Sequence, residues 1–147
     1  MQNIGYKLAD NSRLLRRTFD ERMRAMGVTG PQARLLLTLA RDGGRNQGFY
    51  AEELEVEPIT LCRMVDRLED AELVQRQRDP NDRRAWQIHL TDKAQTQVSE
   101  LRVSVEKLME DALSGLSDTD RETFAEFLDV MGHNLGARRT MLEASNG

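Results

Sequence analysis

Apolar positions recur along this chain first at helical spacing, then briefly at alternating spacing, then at helical spacing again. Over residues 4–26, Leu8, Leu15, Phe19, Met23 and Met26 are separated by gaps of 7, 4, 4 and 3, which gathers them on one helix face. Gly27 supplies a stop, and Thr29 and Pro31 supply a cap and a first-turn proline for a second helix. That helix carries Leu35, Leu36 and Leu39 inward and ends at Gly43-Gly44. A short helix is predicted over Tyr50 to Glu55, and Pro58 opens another that runs to about Ala71. Two short helices separated only by Val56-Glu57 make a helix-turn-helix candidate.

The period then changes to two. Gln75 and Gln77 alternate with Arg76 and Arg78 in the run from Leu73 to Arg78, and Trp86, Ile88 and Leu90 alternate with Ala85, Gln87 and His89. Asp79-Pro80-Asn81-Asp82 between them is a turn, because proline presets its own backbone while Asn and Asp tolerate tight geometry. A hairpin behind a helix-turn-helix is a wing. Thr91 is expected to cap a long helix whose Ala94, Val98, Leu101, Val105, Leu108 and Ala112 are spaced 4, 3, 4, 3 and 4, a heptad-like stripe. Gly115 offers a stop, and Ser117 with Asp120 a capping-box start for a last helix that carries Phe124, Leu128, Met131 and Leu135. The pattern predicts a mainly α fold with a small antiparallel β wing. It reads as a single domain over 1–147, with a winged helix-turn-helix lobe at 30–91 and helical regions at 1–29 and 92–147. The stripes of the first and last two helices either cover their own core or join two copies of the chain. Dimerisation through Leu8, Leu108, Phe124, Leu128, Met131 and Leu135 is the expected reading.

Composition bounds the function. A chain of 147 residues suffices for one core, and 5% aromatics with three prolines suits helices better than a sandwich or barrel. No stretch approaches the roughly eighteen apolar residues that span a bilayer, and no secretory signal pattern opens the chain. One cysteine forms no internal disulfide, so the cytoplasm is the expected compartment. The net charge of −4 speaks against a polyanionic partner only if it is evenly spread, and it is not. Residues 1–45 carry nine basic against four acidic side chains, and a second basic cluster runs from Arg76 to Arg84 inside an otherwise acidic middle third. Arginine, suited to forked contacts with phosphate and guanine, supplies nearly all of this charge.

The segment YAEELEVEPITLCRMVDRLEDAELVQRQRDPNDRRAWQIHLT, from Tyr50 to Thr91, resembles the DNA-binding lobe of the MarR family (multiple antibiotic resistance regulators), above all its SlyA-like branch. Leu54-x-Val56, the helix TLCRMVDRLED, and DPNDRR followed by an apolar strand and Leu90-Thr91 carry the likeness, and the order of the flanking helices agrees. The resemblance implies a homodimeric transcription regulator that binds palindromic double-stranded DNA. Its matching positions make Ile59, Thr60 and Arg63 base-facing and give Arg67 a phosphate. They also place Arg84 in the minor groove, braced by Asp82, with Arg78 and Arg83 on phosphates. Periodicity is compatible, because Leu61, Val65 and Leu68 turn inward while Ile59, Thr60, Arg63 and Arg67 share the outer arc. On periodicity alone Arg63 and Arg67 equally suit a solvated face that pairs with Asp66, Glu69 or Asp70, and Arg84 equally pairs with Asp82. Two positions depart from the family pattern. Glu72 stands where a glycine usually closes the helix, which strains it by about 1 kcal/mol if the backbone there is left-handed. Glu57 stands where a Ser or Thr cap is common.

The resemblance further implies a small aromatic effector in a cleft built by the first, second and fifth helices, without identifying the compound or any ligand-binding residue. No cofactor, metal cluster or nucleophile–base pattern is visible, so catalysis is not expected. His89 is expected as an exposed wing residue. Cys62 lies within the second helix of the motif, where its oxidation would obstruct DNA sterically, although no basic setting marks it in the sequence. The rival from another class is a winged-helix module that binds protein and never touches DNA, a reading that the acidic middle third favours.

Overall fold

The computed structural model describes residues 3–146, with side chains from Asn3 to Gly136. Six helices and a two-stranded antiparallel sheet follow in the order α1 (Ile4–Ala25), α2 (Gly30–Arg41), α3 (Gln47–Glu53), α4 (Pro58–Asp70), β1 (Val74–Arg78), β2 (Trp86–Leu90), α5 (Ala94–Ala112) and α6 (Asp118–Asn146). The mainly α architecture with a small β wing is the one the pattern predicted. The chain forms two compact units, residues 1–108 and 109–147.

In the first unit, Met23, Leu35, Leu36, Tyr50, Leu61, Val65, Val74, Ile88, Val98 and Leu101 form one buried cluster drawn from α1 to α5 and both strands. Full burial of each such side chain stabilises the fold by about 1.5–3 kcal/mol. α1 joins this core only through its last turns, where Met23 is buried and Phe19 packs alongside, while residues 3–17 are exposed. Gly27 ends the helix region in a left-handed conformation at φ 81°. Thr29 then builds a capping box with Gln32 at the start of α2. Gly30 lies against the Asp20 carboxylate, where any side chain would clash, and Asp20 pairs with Arg34 at 3.1 Å.

Several details differ from the pattern. α3 begins at Gln47 and not at Tyr50, because Asn46 caps it by accepting the Phe49 N–H at 2.9 Å. The segment before it, Gly44 to Asn46, pairs with β2: the Gly44 N–H donates to the Ile88 carbonyl, the Ile88 N–H donates to Arg45, and Asn46 bridges Gln87. A third edge thus borders the hairpin, too short to register as an apolar alternation. His89, expected to be exposed, is half-buried beside Gly44 and meets Gln87 at 3.3 Å. Thr91 does not cap α5 with its side chain. Its hydroxyl donates to the Glu72 carbonyl at 2.6 Å and its N–H to Leu73 at 3.1 Å, fastening the end of β2 to the end of α4.

Most of the α5 stripe is covered within this chain, with Ala112 at its end exposed. Ala94, Val98, Leu101 and Leu108 are buried and Val105 is half-buried. Leu108, at 5% exposure, is already covered within the single chain and leaves little surface for a partner. In the second unit, Ser117 and Asp120 form the expected capping box. Arg121 donates to the Leu113 and Leu116 carbonyls and ties the turn to α6. Phe124, Leu128 and Leu135 on α6 are exposed, as are Phe127 and Val130, while Met131 is half-buried. No helix among the described residues is long and apolar enough to cross a membrane.

Candidate nucleic-acid interface

α4 divides cleanly into two faces. Leu61, Met64, Val65 and Leu68 are buried, and Ile59, Thr60, Arg63 and Arg67 are exposed, Ile59 by 60%. A β-branched apolar side chain held that far into water at a helix start leaves most of its surface for a partner to cover. The α4 N-terminus also lacks a side-chain cap: Glu57 makes no capping hydrogen bond, and Pro58 has no N–H to offer. The first turn therefore presents free N–H groups beside Thr60, an arrangement favourable to phosphate oxygen.

Spacing alone would pair the acids of α4 with its arginines, and the structure gives Asp66 and Glu69 another partner. Arg76 of β1 reaches across to α4, its Nη2 2.7 Å from Asp66 and its Nη1 3.1 Å from Glu69. Its Nε donates to Gln47 of α3 at 2.7 Å, and Nη2 also donates to the Cys62 carbonyl at 3.1 Å. The Glu69 carboxylate accepts the Arg76 backbone N–H as well, at 3.0 Å. Burial opposes the charge on this guanidinium, but the hydrogen bonds and attraction of Asp66 and Glu69 outweigh it and push its pKa up. Among the described residues Arg63 and Arg67 have no ion-pair partner. The alternating pattern treated Arg76 as one more surface basic residue and missed this anchor. The usable signal was the period of two, since Val74 and Arg76 share a strand face and Val74 is core.

The wing is braced by its own polar groups. The Asp79 carboxylate accepts the Asn81 N–H at 2.8 Å, and Asp82 accepts the Arg84 N–H at 2.9 Å. The expected competitor, a side-chain pair between Asp82 and Arg84, does not form: Asp82 holds the Arg84 backbone and leaves its guanidinium without an ion-pair partner among the described residues. Arg78 behaves differently from Arg83 and Arg84. It stacks 5.0 Å over Trp86 and donates to the Arg83 carbonyl at 3.2 Å, so much of its reach is spent stiffening the hairpin. Arg83 and Arg84 remain exposed at the tip.

The junction between helix and wing is tightly held. Glu72 is left-handed at φ 62°, the conformation suited to the glycine it replaces. Lys93 donates to the Ala71 carbonyl and to the Glu72 carboxylate, and Thr91 donates to the Glu72 carbonyl. Away from this face, an open groove of about 670 Å³ runs along α1, lined by Arg13, Arg16, Arg17, Asp20, Arg24 and Glu55. No residue of α2 or α5 lines it, and its charged walls are not those of an aromatic-binding cleft.

The sequence model of the MarR family matches residues 28–86, which contain the helix-turn-helix and most of the wing. A solved transcriptional regulator, PA3341, is 31% identical, with a TM-score of 0.78 over 92% of this chain and 99% of that one. The chain belongs to the MarR family. A MarR transcriptional regulator from Methanosarcina mazei Go1 is 26% identical, with a TM-score of 0.79 over 89% of this chain and 94% of that one. A MarR-family transcriptional regulator from Listeria monocytogenes, solved in complex with a 26mer DNA, shares the fold at 17% identity, with a TM-score of 0.78 over 94% of this chain and 92% of that one. The winged helix of this MarR-family chain is thus the architecture of transcription regulators.

Proposed function

We propose that this MarR-family chain is a homodimeric, sequence-specific DNA-binding regulator. In this reading residues 30–91 are the DNA-binding lobe, and 1–29 with 92–147 form the dimerisation region. Each subunit lays α4 in a major groove, with Ile59, Thr60 and Arg63 toward base edges and Arg67 on phosphate. Arg84 enters the flanking minor groove, where a narrow A·T-rich tract concentrates negative potential, while Arg83 and Arg78 touch phosphates. Two-fold symmetry then requires inverted half-sites about one helical turn apart.

The observation that carries the reading is the disposition of charge. On a chain of net charge −4, Arg63, Arg67, Arg83 and Arg84 stand exposed without acidic partners among the described residues, while two neighbouring acids are held by an inward arginine. The partner surface is supported by apolar side chains left in water on α1 and α6, among them Leu8, Phe124, Leu128 and Leu135. Membership of the family supports two further parts of the proposal, release by a small aromatic effector and action in the cytoplasm.

Selection of bound fragments from random duplex DNA tests the proposal. The expected result is an inverted repeat whose binding is weakened about tenfold or more in Arg63→Ala and in Arg84→Ala. Failure to enrich any duplex at low salt contradicts the proposal and favours a module that binds protein instead.

A further inference from the structure

The Arg76 side chain does more than fix the hairpin to the helix. We infer that Arg76 is a positioning residue for DNA recognition: by occupying Asp66 and Glu69 it keeps Arg63 free to meet DNA, and it shields the approaching phosphates from two carboxylates on the recognition helix. This rests on the DNA-binding reading above and specifies how the interface is kept competent.

The spacing on α4 makes the need concrete. Arg63 and Asp66 are three residues apart, a separation at which opposite charges on one helix meet. Left to themselves, Asp66 would close on Arg63, and the guanidinium would reach a base edge only by breaking that pair. Asp66 is instead 2.7 Å from Arg76, whose side chain is 14% exposed and is fixed at the same time by Gln47, Glu69 and the Cys62 carbonyl. Four acceptors from α3 and α4 thus hold one guanidinium from the wing strand. A pair with both members on the outer helix face would be cheap to exchange for water or DNA. This one is anchored from behind, and its acids do not swing outward to compete. Glu69, which also takes the Arg76 backbone N–H, belongs to the same arrangement.

A purely mechanical strap and a counter-ion predict different rescues. If Arg76 only ties β1 to α4, then removing Asp66 weakens the strap further. If Arg76 holds Asp66 away from Arg63, then removing the Asp66 charge repairs the loss of Arg76. Arg76→Gln keeps a hydrogen-bonding group toward Gln47 but carries no charge. It is expected to weaken binding to the selected duplex about tenfold, the effect of losing one good arginine–base contact. The double variant Arg76→Gln/Asp66→Asn is expected to return to within about threefold of the parent, since no carboxylate is left to capture Arg63. Arg76→Lys, which retains the charge, is expected to stay nearer the parent than Arg76→Gln does. It also supplies the comparison if Arg76→Gln does not fold.

A second readout needs no DNA. In the free protein the Arg63 Nε–H exchanges rapidly with water, becomes protected in Arg76→Gln and is released again in the double variant, as followed by 15N NMR. Absence of rescue by Asp66→Asn, or an Arg63 Nε–H unchanged across the series, overturns the inference. If the parent binds no duplex, the DNA reading fails, and the NMR series still decides whether Arg76 governs the pairing of Arg63.

Discussion

Glu72 closes α4 with a backbone that an L-residue rarely adopts, and the strain is measurable by comparing two small replacements. Its φ of 62° lies in the left-handed region, where a side chain costs about 1–2 kcal/mol through the clash of Cβ with the following carbonyl. Both Glu72→Gly and Glu72→Ala remove the contact with Lys93. That contact is 3.3 Å long between side chains 60% and 78% exposed, so its loss is worth about 0–1 kcal/mol and is common to both variants. Alanine keeps the clash and glycine removes it. Glycine gives back part of the gain through the greater freedom of its unfolded chain, about 0.5–1 kcal/mol. The net expectation is that Glu72→Gly exceeds Glu72→Ala by about 1 kcal/mol, or about 3 °C in Tm for a chain of this length. Thermal unfolding followed by circular dichroism reads the difference, at equal protein concentration because the proposed dimer would make Tm depend on it. Glu100, on the exposed face of α5, supplies the control, since there the order must invert and alanine must be the more stable by about 1 kcal/mol. If Glu72→Ala melts at or above Glu72→Gly, the strain assigned to this junction is absent.

Three further outcomes are expected. Tyr50 is fully buried, and its hydroxyl donates to the Asp42 carbonyl at 2.7 Å and accepts the Arg45 N–H at 3.1 Å, so Tyr50→Phe destabilises by about 1–3 kcal/mol in chemical unfolding. Burial raises the Tyr50 pKa above 10.0, so the hydroxyl's contribution is complete below that pH and is lost as pH rises through the folded value; the alkaline fall in stability is accordingly smaller in Tyr50→Phe. Arg84→Ala lowers DNA affinity most for sites flanked by A·T tracts and flattens the dependence of log Kd on log salt by about one unit, which fluorescence anisotropy across a salt series measures. Leu128→Glu puts a charge into the exposed α6 patch and shifts the sedimentation profile from dimer toward monomer, while Leu108→Glu, at a site already buried in its own chain, unfolds the protein instead.

The sequence made some parts of this molecule plain and concealed others for identifiable reasons. Long periodic stretches announced themselves: the two faces of α4 follow from Leu61, Val65 and Leu68, and the Thr29 and Ser117 capping boxes mark their helices by side-chain chemistry three residues long. The left-handed backbone at Glu72 was legible only by likeness to a glycine, because nothing in glutamate itself calls for it. Contacts between distant segments left no local trace. Thr91 reads as a helix cap, yet its hydroxyl finds the Glu72 carbonyl nineteen residues earlier. Arg76 reads as a surface member of an alternating strand, yet its partners lie on α3 and α4. Which stripe positions are covered within the chain and which stay exposed was likewise hidden. The heptad spacing of α5 is the same whether its stripe meets its own subunit or a second one, and only packing turned Leu108 inward while leaving Phe124 and Leu128 in water.

Protection of guanine N7 from methylation and of the sugars from hydroxyl radicals on the selected duplex, combined with sedimentation of the complex, tests the paired-subunit geometry most directly. Two chains per duplex are expected, with two protected major-groove segments about one turn apart and protection of the minor groove outside each. A single chain on the duplex, or protection confined to one groove segment with the minor grooves open, contradicts it.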